Sequence, residues 1–401
     1  MLFRSSQVAT ASTIMVIADD LESSHNIAAL RVKDAVVKSG ASLIVISSRY
    51  GEVCDFVSPP PAGPMMPSPI SVPPADQTGV WLRPAPGGEI ATAATLGRLV
   101  AANVSPAKVD GVEFAGDGPA EAPGVGTEDL AKAAAILTRA AHSESSLAII
   151  YAPNPTSPSI AGEGAKAAAN LALLCRGEGA PASLYVLPTD ANVNGIRDMA
   201  ARPREGGLAL SKMLAGGVRA LLVIGDNPLM LARGQNNVRS VLGTLDCLIT
   251  VDSLPTETTR LAHVAFADLP TYAKDGTYTT ADRRVVRLSR AQSAVGDQRD
   301  CLEILSALAT ALAAKQGTRI DLPAAKASAI MREIADQVPG YRDAVYPRLS
   351  SGLTRARGDE PSRLRVQPVA VPSLPRGNGR FLLTTGRTRS EERRVGKECR
   401  L

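Results

Sequence analysis

The chain has 401 residues, 45% hydrophobic but only 3% aromatic, and a formal net charge of +5. That length can bury a sizeable, necessarily aliphatic core and predicts about two domains or more. Residues 341–401 hold 14 basic against six acidic side chains, so the first 340 residues come to about −3, a balance that excludes an electrostatic footprint for nucleic acid.

In chain order, the N-terminal stretch MLFRSSQVATASTIMVIADD ends its apolar run in Asp19-Asp20 and lacks a small-residue cleavage site, so Thr13 to Ala18 reads as a buried strand rather than a signal peptide. No apolar run approaches the roughly 20 residues of a membrane-spanning helix, and without a targeting signal the sequence predicts a cytoplasmic protein with no direct membrane span. Further short apolar runs follow at 42–47, 147–151, 183–187, 220–225 and 247–252. Each is nearly continuous in apolar character, as strands covered on both faces are.

Helical patterns separate these runs. In TEDLAKAAAILTRAA (127–141), Leu130, Ala133, Ala134, Leu137 and Ala141 line one face, Glu128 and Asp129 suit the first turn, and Thr127 is predicted as the cap. A last long helical pattern lies near 300–336. Strand alternating with helix predicts an α/β protein with doubly wound parallel sheets in two lobes. The expected division is a lobe over 1–235, a partial second lobe over 236–340, a linker with the first strand of a truncated domain over 341–388, and a non-native tail over 389–401. Residues 58–79 contain eight prolines and are predicted as an irregular surface excursion.

Five cysteines (Cys54, Cys175, Cys247, Cys301, Cys399) and three histidines (His25, His142, His263) are too widely scattered to form a local metal motif. They read as buried or incidental thiols and isolated imidazoles. There is no GxGxxG and no GxxxxGK[ST]. Ligands of open parallel sheets gather at the carboxyl ends of the strands. Those ends carry ADDLESSHN (18–26), SSRYGE (47–52), GDNPLM (225–230) and DSLPTETTRLAH (252–263), with YAKDGTYTTADRRVVR (272–287) a little later. Each is a turn able to offer amides, hydroxyls and carboxylates to a polar ligand.

The order of these motifs resembles the molybdopterin oxidoreductase family, in its formate dehydrogenase and NADH-quinone oxidoreductase (complex I) large-subunit branches. Resemblance covers about 13–340 and again 380–387, where FLLTTGR is similar to the strand opening a C-terminal barrel. Glu22-Ser23-Ser24-His25, Arg31-Val32-Lys33, Pro86-Gly87-Gly88-Glu89, ANLALL (169–174) and NVNGIRDM (192–199) stand where the family has matching segments. GDNP, TVDSLPTET and KDGTYTTADRRV carry the resemblance most specifically.

The resemblance implies a cradle for pterin-guanine dinucleotides, with contacts at Gly225, Asn227, Asp252, Thr256, Lys274, Asp275 and Gly276. No catalytic residue and no metal ligand is expected in this stretch. Ser47-Ser48-Arg49 replaces the family's Asp-Pro-Arg, Ala273 replaces an acid, and Thr280 replaces an Asn. A serine hydroxyl cannot supply the two-acceptor carboxylate that grips guanine. The resemblance therefore implies first a complex I large-subunit portion on the inner face of the cell membrane. Its partners would be an NADH-oxidising module, and its iron–sulfur clusters would lie outside this stretch, which alone would be inactive. Two alternatives stay open: the catalytic alpha subunit of a molybdenum-dependent formate dehydrogenase-like enzyme, and a non-catalytic scaffold or nucleotide-binding module.

Overall fold

The structure is a computed structural model. It describes residues 8–57, 79–104, 122–143, 146–153, 161–176, 182–188, 190–199, 207–208, 212–231, 237–320, 324–349 and 366–371. The chain forms two units, residues 1–191 with 360–401, and residues 192–359.

The first unit is built on five parallel strands: β1 (Thr13–Ile17), β2 (Ser42–Ile46), β3 (Gly79–Leu82), β4 (Leu147–Tyr151) and β5 (Ala182–Val186). Their spatial order is β3-β2-β1-β4-β5, so the winding reverses between β1 and β4. β1 and β4 are buried along their whole length, which is why their sequences run apolar without alternation. Residues of one parity, Met15, Ile44 and Ile149, pack with Leu96 of helix α2 (Glu89–Ala101), Leu137 of α3 (Thr127–His142) and Leu171 of α4 (Ala161–Leu174). Residues of the other parity, Ile14 and Leu43, are equally buried. Each such side chain stabilises the fold by roughly 1.5–3 kcal/mol relative to exposure.

Helix α1 (Leu21–Ser39) begins with Asp20, whose carboxylate accepts the Ser23 N–H, and ends on Gly40 in the left-handed conformation at φ 65°. A kink at His25 (φ −145°, ψ 62°) separates its first turn from the rest. The predicted cap of α3 shifts by one residue: Gly126 takes the cap position, without a side-chain hydrogen bond, and Thr127 is the first helical residue. Strand β3 carries no long apolar run and was not legible in the sequence; it pairs with β2 through Val80–Leu82. Of the predicted excursion 58–79, Gly79 opens β3, and residues 58–78 lie outside the described residues.

The second unit holds three parallel strands, β6 (Ala220–Ile224), β7 (Cys247–Asp252) and β8 (Val264–Ala267), in that order, and an antiparallel hairpin of β9 (Gly276–Thr279) and β10 (Val285–Leu288). The predicted boundary at 235 assigned 220–225 to the first lobe. The hydrogen bonds of β6 run instead to β7, from Ala220–Cys247 to Ile224–Val251. Val223 and Leu248 pack on Val238 and Leu242 of α6 (Val238–Gly243), which follows the short α5 (Val193–Asp198).

The helical pattern near 300–336 forms two helices, α7 (Cys301–Lys315) and α8 (Ala327–Gln337). The predicted linker is corrected at its start: Tyr341, Ala344 and Leu349 are buried with Val285 and Met331. Arginine-rich composition hid these apolar anchors, which are too few and too irregularly spaced to show a period. The strand expected at 381–387 and the tail at 389–401 lie outside the described residues.

Candidate functional site

Two strand-end edges carry the residues singled out above, one in each unit. In the first unit, Asp19 and Asp20 follow β1 and Ser47 follows β2. Ser47 is buried and turned inward. Its hydroxyl lies 2.9 Å from the Asp19 carbonyl and 2.6 Å from that of Arg49, and it accepts the Arg49 N–H at 3.2 Å. The Trp81 indole N–H occupies the Ser47 carbonyl at 3.0 Å.

The carboxylates here are also engaged. Asp19 pairs with the Arg49 guanidinium at 3.4 Å, and burial nonetheless raises its pKa above the ordinary Asp value. Asp20 is spent on the Ser23 amide and hydroxyl. Glu22 sits 3.3 Å from Lys33, which also meets Glu52 at 2.7 Å and lies over the Phe56 ring. Burial raises Glu22, with Lys33 pulling the other way. Burial depresses Lys33, but Glu52 and Glu22 together hold it above its usual value. His25 places Nε2 2.9 Å from the Pro188 carbonyl beyond β5. At this edge Asp19, Asp20 and Ser47 are bonded within the protein. The edge does not fit the base of an anionic dinucleotide, because the one group at the Asp-Pro-Arg position is a hydroxyl facing the protein.

In the second unit the carboxyl ends of β6, β7 and β8 stand side by side. Gly225, at φ 62°, donates its N–H to the Val251 carbonyl at 2.8 Å. A Cβ there would meet nothing within 4 Å, so the backbone is open to a ligand and the requirement for glycine is conformational. Asn227 donates to Glu257 at 2.7 Å and accepts from the buried Thr258 hydroxyl at 2.6 Å, joining the β6 loop to the β7 loop. Thr256 and Thr259 exchange hydroxyl–amide bonds across one turn. One Asp252 oxygen accepts the Leu254 N–H at 3.1 Å. At the end of β8, Asp268 donates its N–H to the Asp252 carbonyl, while its carboxylate binds the amides of Leu269 and Cys301 and the Lys274 ammonium.

Five of the seven expected contact residues, Gly225, Asn227, Asp252, Thr256 and Lys274, thus lie on one edge. Asp275 instead accepts the Arg290 N–H, and Gly276 opens β9; both belong to the hairpin. Glu257, Thr258 and Asp268 were missed as functional partners. Glu257 and Thr258 stand in the quoted TVDSLPTET neighbourhood, whereas nothing in the local sequence marks Asp268. Carboxylates at Asp226, Asp252 and Glu257 beside an open glycine backbone suit the N–H donors of a purine, so this edge fits a nucleotide-bearing cofactor where the first does not. Among the described residues no cluster of His, Cys, Asp or Glu could hold a metal ion. Cys54 and Cys175 are buried free thiols, each pushed up by burial to about 12.

The chain is a parallel α/β protein whose second unit presents a carboxylate- and glycine-bearing strand-end edge. The molybdopterin oxidoreductase family model matches residues 3–311, and the chain belongs to that family. It is 25% identical over 387 residues to the F420-dependent formate dehydrogenase 1 subunit alpha of Methanococcus maripaludis, covering 86% of this chain and 53% of that protein. The F420-dependent formate dehydrogenase 2 subunit alpha of the same organism is 30% identical over 260 residues, 57% of this chain and 37% of the relative. The NADPH-Fe(3+) oxidoreductase subunit alpha of Geobacter sulfurreducens is 36% identical over 126 residues, 31% and 14% respectively. Acetylene hydratase from Pelobacter acetylenicus shares the fold, with TM-score 0.56 and 13% identity over 88% of this chain and 53% of that one. The chain spans about half the length, or less, of these proteins. Among the described residues no helix is long and apolar enough to cross a membrane.

Proposed function

We propose that this chain is the dinucleotide-holding portion of the catalytic alpha subunit of a formate dehydrogenase-like, molybdopterin-dependent oxidoreductase. One observation carries the reading: a similarity that runs through 86% of the chain joins it to a formate dehydrogenase alpha subunit. This departs from the complex I portion that Ser47, Ser48, Ala273 and Thr280 first implied.

Substrate oxidation would draw its two-electron chemistry from a pterin-bound metal. The residues of this chain hold and orient the cofactor. Gly225 presents open backbone, and Asp252 offers its remaining oxygen to the base. Asn227 keeps the two loops in register through Glu257 and Thr258, Thr256 fixes the turn of the β7 loop through Thr259, and Lys274, braced by Asp268, supplies positive charge to the edge. Asp275 and Gly276 shape the turn that carries Lys274. Substrate oxidation, iron–sulfur clusters and partner subunits belong to the longer protein.

One observation favours a second reading. The inward-facing Ser47 leaves the first unit's edge without a grip on a base, as suits a complex I large-subunit portion in which this fold serves as a scaffold. Metal analysis of the native complex separates the two. Molybdenum or tungsten near one atom per subunit supports the formate dehydrogenase-like reading; its absence, with iron present, overturns it in favour of the scaffold.

A further inference from the structure

Asn170 occupies the interior of helix α4, where asparagine has poor helix propensity, and it is only 4% exposed. Its amide is not spent on α4. It donates to the Gln367 carbonyl at 2.7 Å and accepts the Gln367 N–H at 2.9 Å, taking both polar groups of one distant residue as a neighbouring strand would. Two turns earlier on the same helix, Glu163 accepts the Ala370 N–H at 2.8 Å. Between these two points Val369 packs against the first unit's core.

The spacings agree. Residues 163 and 170 are about 10.5 Å apart along a helix rising 1.5 Å per residue. Residues 367 and 370 are about 10 Å apart along an extended chain rising about 3.3 Å per residue. Because 170 meets 367 and 163 meets 370, the segment runs antiparallel to α4. Val366, Val369 and Val371 are partly buried, while Gln367, Pro368 and Ala370 are exposed. Pro368 has no N–H to satisfy and favours the extended form.

We propose that α4 is a receptor groove for an extended segment of this same chain, residues 366–371, and that Asn170 is its latch. The latch fastens to the first unit the polypeptide that left it after residue 191. The chain continuing past Val371 therefore starts from the α4 groove rather than from a solvated linker. Asn170 lies in the ANLALL stretch, and its role here is to bind backbone, independent of any cofactor.

The test is hydrogen exchange on the full chain, read by mass spectrometry over 366–371, α4 and β4. In the unsubstituted chain the amides of Gln367 and Ala370 should be protected. Asn170→Ala removes both bonds to Gln367 and should speed exchange across 366–371 by about tenfold or more, leaving β4 unchanged. Gln367→Pro removes the donor from the strap side and leaves the sequence of α4 intact. It should release 369–371 in the same way, and it decides the matter if Asn170→Ala also opens α4. Amides at 367 and 370 exchanging at unprotected rates in the unsubstituted chain would overturn the proposal, as would protection that persists in Gln367→Pro.

Discussion

Replacing Tyr341 by Phe removes one oxygen from a buried polar network of the second unit. Tyr341 is 3% exposed. Its hydroxyl donates to Asp198 at 2.6 Å and lies 2.9 Å from the Thr279 hydroxyl. Asp198 also receives Arg283 at 3.0 and 2.8 Å. Among the described residues Arg283 is the one non-glycine residue held at positive φ, 62°, so this network fixes a strained turn between β9 and β10. A hydrogen bond to a charged group contributes about 1.5–3 kcal/mol. Asp198 keeps Arg283 after the substitution, so the loss should fall near the middle, about 2 kcal/mol.

The pH dependence of that loss separates this account from simple packing. Burial, and then the Asp198 carboxylate, push the Tyr341 phenol up from 10 to about 12. A folded-state pKa above the unfolded one means that the contribution is complete below about pH 10 and is lost as pH rises toward 12. A two-unit gap corresponds to about 2–3 kcal/mol at most, and phenylalanine has no such titration. The sole tryptophan, Trp81, lies in the first unit, so urea unfolding should be followed by far-UV circular dichroism. The parent should exceed Tyr341→Phe by about 2 kcal/mol at about pH 8, with the gap closing above about pH 10. A gap that stays level to about pH 11.5, or a variant as stable as the parent, would refute the reasoning.

Three other outcomes follow from the packing and the edge chemistry. Gly164→Ala places a Cβ 2.2 Å from the Tyr151 hydroxyl and 2.4–2.6 Å from its ring atoms; overpacking should cost about 1–3 kcal/mol, read as a lowered melting temperature of the first unit's tryptophan signal. Lys33→Met leaves Glu22 buried without its cation, costing about 2 kcal/mol at neutral pH; because burial already raises Glu22, the deficit should shrink as pH falls toward about 4, and a deficit that grows in acid would contradict the assignment. Asn227→Ala cuts the tie between the β6 and β7 loops; in the intact subunit it should lower molybdenum content severalfold without changing the far-UV spectrum, and unchanged metal content would remove Asn227 from the cofactor-holding set.

The expectation of a complex I portion rested on a few departures from the family pattern, Ser47-Ser48 in place of Asp-Pro, Ala273 in place of an acid and Thr280 in place of an Asn. In the structure the Ser47 hydroxyl bonds inward, to the Asp19 and Arg49 carbonyls. The similarity to a formate dehydrogenase alpha subunit extends through 86% of the chain, against departures at four positions. The two edges are therefore unequal: in the first, Asp19, Asp20 and Ser47 are bonded within the protein, and the second keeps an open glycine and spare carboxylate oxygens.

Local composition by itself determined the six apolar strands, the alternating helices and the parallel α/β class. Burial on both faces requires continuous apolar runs, and that pattern survives in one dimension. It also marked the strand-end turns at 225–230 and 252–263, because such turns have a composition of their own, while Gly225, Asn227, Asp252 and Thr256 within them were singled out by the family resemblance. Only the tertiary structure assigned β6 to the second sheet, because strand pairing is a contact between distant segments. Likewise, only the fold joined Asp268 to Lys274, Asp198 to Tyr341 and Asn170 to Gln367. Each of these is a polar group whose partner is set by where the chain returns, and a buried amide or carboxylate looks the same in sequence whether it meets solvent or another strand.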